Sequence, residues 1–324
     1  MKNLIRNKNI LITSAGRRVD LVKAFIATLK KKKLNIKVIT ADANPEYSSA
    51  CQINKTFVKL PKVNEKNFER KLISICKKYS IGMIIPTIDN ELIVYSKLKF
   101  AFKKKGIFII VSDTVFIDYC QDKYKTKNLF NKYDINYPTI YSNKNIKFPC
   151  IVKPRIGSSS QGIQIFSSQS FMPIKIMNDR RVIIMKYLGK SYQEFTIDMY
   201  FNRNNDLCSF VPRKRIETRG GEISKGLTVK DKSFNKILES LRKVEGAVGC
   251  INLQVFRGKN KFFGIEVNAR FGGGYPLSFS AGANFPEFLI DEYFFNKTIK
   301  YNDKWKNNLL MLRYDEKFIS LNGN

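Results

Sequence analysis

The most informative stretch of this sequence is INLQVFRGKNKFFGIEVNAR, at residues 251–270. Apolar and polar residues alternate on both sides of a central turn, and this pattern predicts two antiparallel strands. In the second strand Glu266, Asn268 and Arg270 are spaced two apart, so their side chains share one face. Gln254 can lie opposite them across the hairpin. One carboxylate and two amide oxygens are therefore predicted to converge on a point.

This cluster of oxygen atoms predicts a Mg²⁺ site. Mg²⁺ prefers hard oxygen ligands and completes its coordination with waters and nucleotide phosphates. Arg270 would then stabilise the charge that develops during phosphoryl transfer. The alternative is a polar strand face turned towards solvent, but asparagine in mid-strand is an unusual choice on β-propensity alone.

A second candidate element is FPCIVKPRIGSSSQGIQI, at residues 148–165. The pattern predicts a β-hairpin with a small, polar tip between Gly157 and Gly162. Glycines let the backbone approach a ligand, while serine hydroxyls and main-chain N–H groups can surround phosphate oxygens. Lys153 adds a fixed cation on the incoming strand. The segment lacks the G-K-[ST] of a Walker A loop, and an ordinary flexible hairpin is the alternative.

The N-terminal third alternates between short apolar runs and amphipathic stretches. Strands are predicted at residues 9–13, 36–40, 82–86 and 108–111, and helices at 19–29, 68–79 and 92–104. This alternation predicts a doubly wound α/β domain with a parallel sheet that ends near residue 115. Its first turn has only Gly16, so the three-glycine dinucleotide fingerprint is missing. We therefore interpret it as a supporting or acceptor-substrate domain.

Three polar residues of this domain have open roles. Arg17 and Arg18 precede the first helix, where they either hold an anion or face solvent. Asp42 follows the second strand, where it either binds a substrate hydroxyl or caps a turn.

Composition excludes several classes of mechanism. The 324 residues contain no histidine, so a histidine base, a histidine metal ligand and a Ser-His-Asp triad are all excluded. The six cysteines form no C-x-x-C pair, which argues against a zinc site and for a reducing compartment. No apolar run approaches the length of a membrane span, so the cytoplasm is the expected location.

The net charge is +31, from 58 Lys and Arg against 27 Asp and Glu. Such a charge suits a polyanionic partner such as nucleic acid or anionic lipid. It also suits compositional drift, because lysine is abundant throughout the chain instead of being concentrated in one tail. Aromatic residues are not interleaved with the basic ones as a nucleic-acid stacking surface requires.

Taken in order, these elements resemble the ATP-grasp superfamily, and within it proteins similar to the large subunit of carbamoyl-phosphate synthetase. The resemblance spans nearly the whole chain, and its most specific part is EVNARFGGGYPLS at residues 266–278. It implies an α/β fold that begins with a Rossmann-like pre-ATP-grasp domain over residues 1–115. Two α+β subdomains follow: a small one with the phosphate loop, residues 116–190, and a C-terminal one with the metal site, residues 191–324.

The resemblance also implies a nucleotide site. Lysines contact the phosphates, the backbone of a hinge contacts adenine, and an acid holds the ribose. The implied ATP-binding residues are Lys123, Lys153, Gly157, Ser158, Ser159, Ser160, Gln161, Gly162, Lys186, Tyr187, Leu188 and Glu194. The implied ligands of Mg²⁺ or Mn²⁺ are Gln254, Glu266 and Asn268.

This sequence departs from the family pattern at three positions. Gln254 stands where the first metal ligand is commonly a glutamate, which lowers the negative charge of the site. Ala269 replaces the commoner proline. Met185 occupies a position where many members have a glutamate, which puts a side-chain contact to adenine in doubt there.

The basic segment PRKRIETRGGEISKG, at residues 212–226, is interpreted as a substrate loop. Arg215 and Lys225 are predicted to bind the substrate, with Gly273 allowing the backbone a close approach. Arg219 is predicted to act in catalysis together with Lys153 and Arg270. A solvated loop is the alternative.

The activity that the resemblance implies is ATP-dependent ligation of a carboxylate to an amine through an acyl-phosphate, with release of ADP and phosphate. The expected partners are therefore small-molecule carboxylates and amines, without a specific nucleic acid or a membrane; a homodimer is left open. Two alternatives remain at this point: a non-catalytic basic protein that binds nucleic acid, and an ATP-grasp kinase or carboxyphosphate-forming enzyme.

Overall fold

The computed structural model describes residues 8–157, 162–189, 191–259 and 261–320, which form three β-sheets flanked by helices. The predicted fold class is confirmed: a parallel sheet comes first, and two antiparallel sheets follow it. Among the described residues, no helix combines the length and the apolar character needed to cross a bilayer.

The N-terminal sheet is parallel, with the strand order β3-β2-β1-β4-β5. Its strands are β1 (Asn9–Thr13), β2 (Val38–Asp42), β3 (Phe57–Lys59), β4 (Ile81–Pro86) and β5 (Phe108–Ile109). The helices between and after them are α1 (Val19–Lys31), α2 (Ser49–Asn54), α3 (Phe68–Lys78), α4 (Leu92–Lys104) and α5 (Thr114–Gln121). The central strands β1 and β4 are almost wholly buried, as expected of parallel strands covered by helices on both faces.

The small sheet has the antiparallel order β7-β6-β8. Helix α6 (Lys123–Lys132) leads into it, and its strands are β6 (Cys150–Pro154), β7 (Gln164–Phe166) and β8 (Val182–Lys186), with the short helix α7 (Ile174–Met177) between the last two. Strands β6 and β7 pair as the predicted hairpin, with Cys150 opposite Phe166.

The third sheet has six strands in the order β13-β12-β9-β10-β11-β14. They are β9 (Gln193–Phe201), β10 (Leu207–Arg219), β11 (Glu222–Thr228), β12 (Gly249–Arg257), β13 (Phe262–Asn268) and β14 (Leu310–Leu312). Helices α8 (Asn235–Arg242), α9 (Tyr275–Ser280) and α10 (Phe285–Tyr293) complete this part. In the β12–β13 hairpin Gln254 pairs directly with Glu266, so the two side chains lie next to each other.

The prediction of a loop over residues 212–226 is wrong. Strands β10 and β11 form a long hairpin there, with Arg213 paired to Thr228 and Arg219 paired to Glu222. The turn falls at Gly220 and Gly221, whose φ values of 58° and 78° suit glycine. Basic composition concealed the strand, because alternate residues of β10 face a polar cleft instead of an apolar core.

The hydrophobic cores join the first sheet to the third. One cluster contains Leu11 and Ile84 from the parallel sheet together with Ile197 and Leu253 from the six-stranded sheet. A second cluster likewise spans both parts. The small sheet has a separate core of its own, formed by Cys150, Val152, Phe166, Met172 and Ile184.

Candidate active site

A cavity of about 610 Å³ lies between the small sheet and the six-stranded sheet. Its volume is in the range of pockets that bind small molecules and cofactors. The lining includes most of the residues predicted to bind ATP: Lys123, Lys153, Gly157, Lys186, Tyr187, Leu188 and Glu194. Gln254 and Glu266, predicted to bind metal, form part of the opposite wall.

Two lysines bring positive charge into this cavity from the small-sheet side. Lys123 begins helix α6, and its Nζ donates to the carbonyl of Gly157 at 3.0 Å. Lys153 projects from β6. Burial lowers the pKa of both lysines, and the nearby Glu266 carboxylate opposes this effect. Partly desolvated ammonium groups interact more strongly with phosphate than exposed ones do.

The position of Lys123 depends on its neighbour Asp122. The Asp122 carboxylate caps helix α6 by accepting from the Tyr124 N–H at 2.9 Å. It also accepts from Arg155 at 2.7–3.0 Å, which ties the helix to the end of β6. The Asp122 carboxylate therefore holds the start of helix α6 to the β6–β7 hairpin, which is the predicted phosphate hairpin.

The predicted metal ligands lie side by side. Asn268 donates its amide to Glu266 Oε1 at 3.3 Å, and its oxygen accepts from Arg270 at 3.1 Å. Gln254 donates its amide N–H to Glu194, which directs the Gln254 oxygen away from that contact. The donor set is thus one carboxylate and two amide oxygens, with no cluster of three Asp, Glu, Cys or His side chains in the described ranges. Such a set fits a Mg²⁺ ion that takes further ligands from phosphates and water.

Glu194 carries two contacts in addition to lining the cavity. The Nε of Arg215 lies 3.0 Å from its carboxylate, and Gln254 donates to the same carboxylate. Arg215 is therefore fixed at the boundary between the large cavity and a second, smaller one.

The second cavity, of about 110 Å³, adjoins the metal-ligand cluster on the side of the N-terminal sheet. Gln254, Glu266 and Arg215 line both cavities. The rest of its lining is rich in arginine and glycine, with Arg18, Arg213, Arg270, Glu222, Asn268 and Gly272–Gly274 among the residues.

The N-terminal sheet reaches into the site through Asp89, which follows strand β4. Asp89 accepts from Arg270 Nη2 at 2.6 Å and from Nε at 3.1 Å. Arg270 is thereby held between Asp89 and Asn268. Sequence reasoning missed Asp89, although its place after a parallel strand was a usable signal, because ligand sites of such sheets lie beyond the carboxyl ends of the strands.

Two further groups were missed because Arg213 and Glu222 come from the segment that was interpreted as a loop. Arg213 is 1% exposed and Asp198 is fully buried, and they form a paired contact at 2.7 and 3.0 Å. Glu222 accepts from Arg313 at 3.1 Å, and burial alone would raise its pKa. Arg18, Arg17 and Arg313 together outweigh that effect and hold the pKa of Glu222 below its usual value.

Some predicted site residues are not brought together with the rest. Arg219 pairs with Asp315 on an outer groove, away from both cavities, and Lys225 pairs with Glu217 at 2.7 Å. Gly273 lines the second cavity, but a Cβ there would meet the Glu222 carboxyl carbon at 2.7 Å, so this glycine makes room for a side chain of the protein itself. The predicted Ser158, Ser159, Ser160 and Gln161 lie outside the described residues. Gly162, which follows them, has a φ of +69°.

Two family models match successive parts of the chain. The model described as PylC-like, N-terminal domain matches residues 10–110. The model described as ATP-grasp in the biosynthetic pathway with Ter operon matches residues 178–314. This chain is an ATP-grasp protein. No curated protein sequence matches it significantly.

Solved structures share this ATP-grasp fold at low sequence identity. Biotin carboxylase from Campylobacter jejuni aligns with a TM-score of 0.72 at 14% identity, covering 95% of this chain and 75% of its own. N5-carboxyaminoimidazole synthetase from Staphylococcus aureus, complexed with ADP, aligns with 0.68 at 18%, covering 93% and 81%. L-amino acid ligase from Bacillus licheniformis aligns with 0.65 at 14%, covering 89% and 74%. At such identities the likeness concerns the fold of this ATP-grasp protein.

Proposed function

We propose that this chain is an ADP-forming ligase that joins a small-molecule carboxylate to an amine through an acyl-phosphate. The observation that carries the proposal is the shared wall of the two cavities. Gln254 and Glu266 face both the large cavity, which contains the two lysines, and the small cavity, which is rich in arginine. The terminal phosphate of a triphosphate bound in the large cavity would therefore lie next to an anionic substrate bound in the small cavity.

The nucleotide is assigned to the large cavity. Its adenine would lie along the backbone of residues 186–188, and its ribose hydroxyls would face Glu194. Lys123 and Lys153 would neutralise phosphate charge, and the phosphate hairpin from Gly157 to Gly162 would cover it. Family members of known structure have been crystallised with ADP or an ATP analogue, which supports this placement.

The metal is assigned to the oxygen atoms of Gln254, Glu266 and Asn268. When bound there, Mg²⁺ would bring neutralising charge to the triphosphate and hold it in position. Arg270 adds a guanidinium next to the same oxygens, fixed by Asp89. Preorganised cations of this kind stabilise charge that develops in phosphoryl transfer without reorganising during the reaction.

Two bond exchanges make up the proposed reaction. An oxygen of the substrate carboxylate attacks the γ-phosphorus, the bond to the bridging β–γ oxygen breaks, and ADP leaves. The amine nitrogen then attacks the acyl carbon, phosphate leaves with the C–O bond electrons, and the amine proton passes to solvent. Positioning and electrostatics supply the catalysis, which suits a chain without histidine.

We also propose that the parts act as three units, residues 1–115, 116–190 and 191–324. The first would hold one side of the substrate cavity, the second would carry the phosphate hairpin, and the third would provide the metal ligands. The separate core of the small sheet supports a hinge between the second unit and the other two.

The function is tested by incubating the chain with MgATP while amino acids, sugar acids and amino sugars are screened in pairs. ADP and phosphate release would be measured, and products identified by mass spectrometry. A ligase gives an amide only when both partners are present, whereas a kinase or carboxyphosphate-forming enzyme releases ADP without an amine.

The first prediction concerns Glu266. Replacement by glutamine removes the only carboxylate of the metal site, so we expect ADP release to fall at least ~100-fold, with a higher Mg²⁺ requirement. Glu245→Gln is the matched control, because that glutamate side chain is exposed and pairs with Lys132. Full activity of Glu266→Gln would refute the metal assignment.

A further inference from the structure

The small cavity is surrounded by guanidinium groups, most of which already have a carboxylate partner. Within the described ranges the pairs are Arg213 with Asp198, Arg215 with Glu194, and Arg270 with Asp89. Each of these charges is neutralised by the protein. A substrate anion would gain little from the nitrogens that these pairs already use.

Arg18 is the exception among them. It precedes helix α1 and lines the small cavity, yet in the described part of the chain no hydrogen bond or ion pair engages its side chain. Its Nη1 atom is buried without a partner. Burial, together with the Arg270 charge, lowers the pKa of Arg18 to about 10, while the Glu222 and Asp89 carboxylates oppose the shift, so Arg18 remains charged at neutral pH. An N–H donor that is buried without an acceptor is costly unless a ligand supplies one.

Arg213 provides a second, independent observation. Its side chain is 1% exposed, and two of its nitrogens are used by Asp198. The third, Nη1, is buried and has no partner among the described residues, although Arg213 lines the same cavity. An N–H donor that lacks an acceptor in the interior is rare in folded proteins.

We propose that Arg18 and Arg213 together bind the carboxylate group of the substrate in the small cavity. The inference rests on the proposed function and names the group of the substrate that the protein recognises. A guanidinium presents its donors in a planar fork that matches a carboxylate. One of these arginines comes from the N-terminal unit and the other from the six-stranded sheet, so the bound carboxylate joins the two.

The volume limits what else enters. The cavity of about 110 Å³ is much smaller than the pockets of roughly 300–1,000 Å³ that enclose a whole ligand, so it accepts a head group only. Glu222 lines this cavity and also an outer groove of about 640 Å³, which leads towards solvent. The head group is therefore in the small cavity, and the body of the substrate lies in the groove.

Glu222 also restricts the class of substrate. It is a carboxylate at the entrance to the groove, and it disfavours a second carboxylate next to the first while accepting a hydrogen bond from a hydroxyl or an ammonium. The substrate class is thus a small acid with a hydrogen-bond donor beside its carboxylate. This assignment places recognition of the substrate carboxylate on Arg18 and Arg213 instead of Lys225, which pairs with Glu217.

The test is calorimetric titration of sodium glycolate into the full chain saturated with MgADP, at constant ionic strength set with sodium chloride. Sodium acetate, which lacks the hydroxyl, is the second probe. We expect saturable binding of one glycolate, weaker binding of acetate, and at least a 10-fold loss of glycolate affinity in Arg18→Ala. Arg18→Lys, which keeps the charge without the fork, should give an intermediate loss.

Arg181→Ala is the control, since the Arg181 side chain is 89% exposed, pairs with Asp179, and lines neither cavity nor the groove. It should change glycolate affinity less than 2-fold. Equal losses in the Arg181 and Arg18 variants, or no saturable binding of either probe, would overturn the inference. MgADP affinity, measured separately in every variant, distinguishes this from failure of the proposed function: a chain that binds no MgADP contradicts the function itself.

Discussion

Single charged residues determine where the cations of this site point. Arg270 has no freedom to swing, because Asp89 holds two of its nitrogens and Asn268 accepts from one of them. The Asp89 contact spans two sheets, and both side chains are at most about one-quarter exposed. Such a pair is worth more than an ion pair on the surface, because removing one partner leaves the other charge poorly solvated.

Asp89→Ala should therefore affect turnover more than nucleotide binding. With its partner lost, Arg270 can leave the position in which it faces the phosphate, and we expect kcat for ADP release to fall about 10-fold, about 1.4 kcal/mol of barrier. The KM for ATP should change less, because Lys123 and Lys153 remain. Asp118→Ala, which removes an exposed partner of Lys125, is the control. A larger change in KM than in kcat would contradict the positioning role.

Glu91 should make stability depend on pH. It is 6% exposed, and burial raises its pKa from 4.5 to about 7, with a smaller contribution from Asp42 in the same direction, while a hydrogen bond from Ser14 opposes the shift. The folded state thus keeps a proton that the unfolded state has lost, so stability falls as pH rises from about 4.5 to 7. The full effect is about 3 kcal/mol.

The measurement is urea unfolding at pH 5 and pH 8. Between these values the wild type should lose about 2–3 kcal/mol more than Glu91→Gln, which carries no titrating group at this position. No histidine competes in this range, because the chain has none. Parallel pH dependence in wild type and variant would show that Glu91 does not titrate there.

At the scale of elements, the start of helix α6 links local stability to the phosphate site. Asp122 caps the helix and holds Arg155. Elsewhere in the chain Asp231 makes an equivalent arrangement: it caps a short 3-10 turn by accepting from the Ser233 N–H at 2.8 Å and pairs with Arg257. Only the first of these two capped turns lies beside the large cavity.

This pair of caps permits a controlled test. Asp122→Ala and Asp231→Ala should each lower the free energy of unfolding by about 1 kcal/mol, the usual cost of losing an N-cap. Only Asp122→Ala should also weaken MgADP binding, because Lys123 is the next residue. Calorimetric titration and urea unfolding of both variants provide the check. Equal MgADP affinity in the two variants would contradict the prediction, because it would show that the Asp122 cap does not support nucleotide binding.

At the scale of the molecule, the first and third sheets share cores while the small sheet has its own. A part with few buried apolar contacts to its surroundings opens at lower free energy than the rest. The cavity proposed for ATP lies under this part, so nucleotide and sheet motion should be coupled.

Hydrogen exchange should reveal this coupling. We expect the amides of β6 and β8 to exchange faster than those of β9 and β12, and to slow selectively when MgADP is added, since a ligand stabilises the states that bind it. Mass spectrometry of peptides from both regions measures the difference. Uniform protection, or slowing confined to β9 and β12, would argue against a mobile small sheet.

The sequence by itself determined the elements whose signal is local. Hydrophobic periodicity predicted β1, α1, α3, β4 and α4 nearly to their ends, because parallel strands and amphipathic helices carry their burial pattern in short windows. The alternation of Glu266, Asn268 and Arg270 likewise predicted a shared face, because neighbours two apart on a strand must share one.

Only the tertiary structure could bring together residues that are far apart in the chain. Arg18 and Arg213 line one cavity because two sheets meet there. Asp89 accepts a hydrogen bond from Arg270, which is 181 positions later in the sequence. The basic residues interpreted as a substrate loop are strand residues in the folded chain, and Arg213 and Arg215 among them line a cavity. Local propensity contains no information on which charge meets which, since that depends on the packing of sheets whose cores are shared.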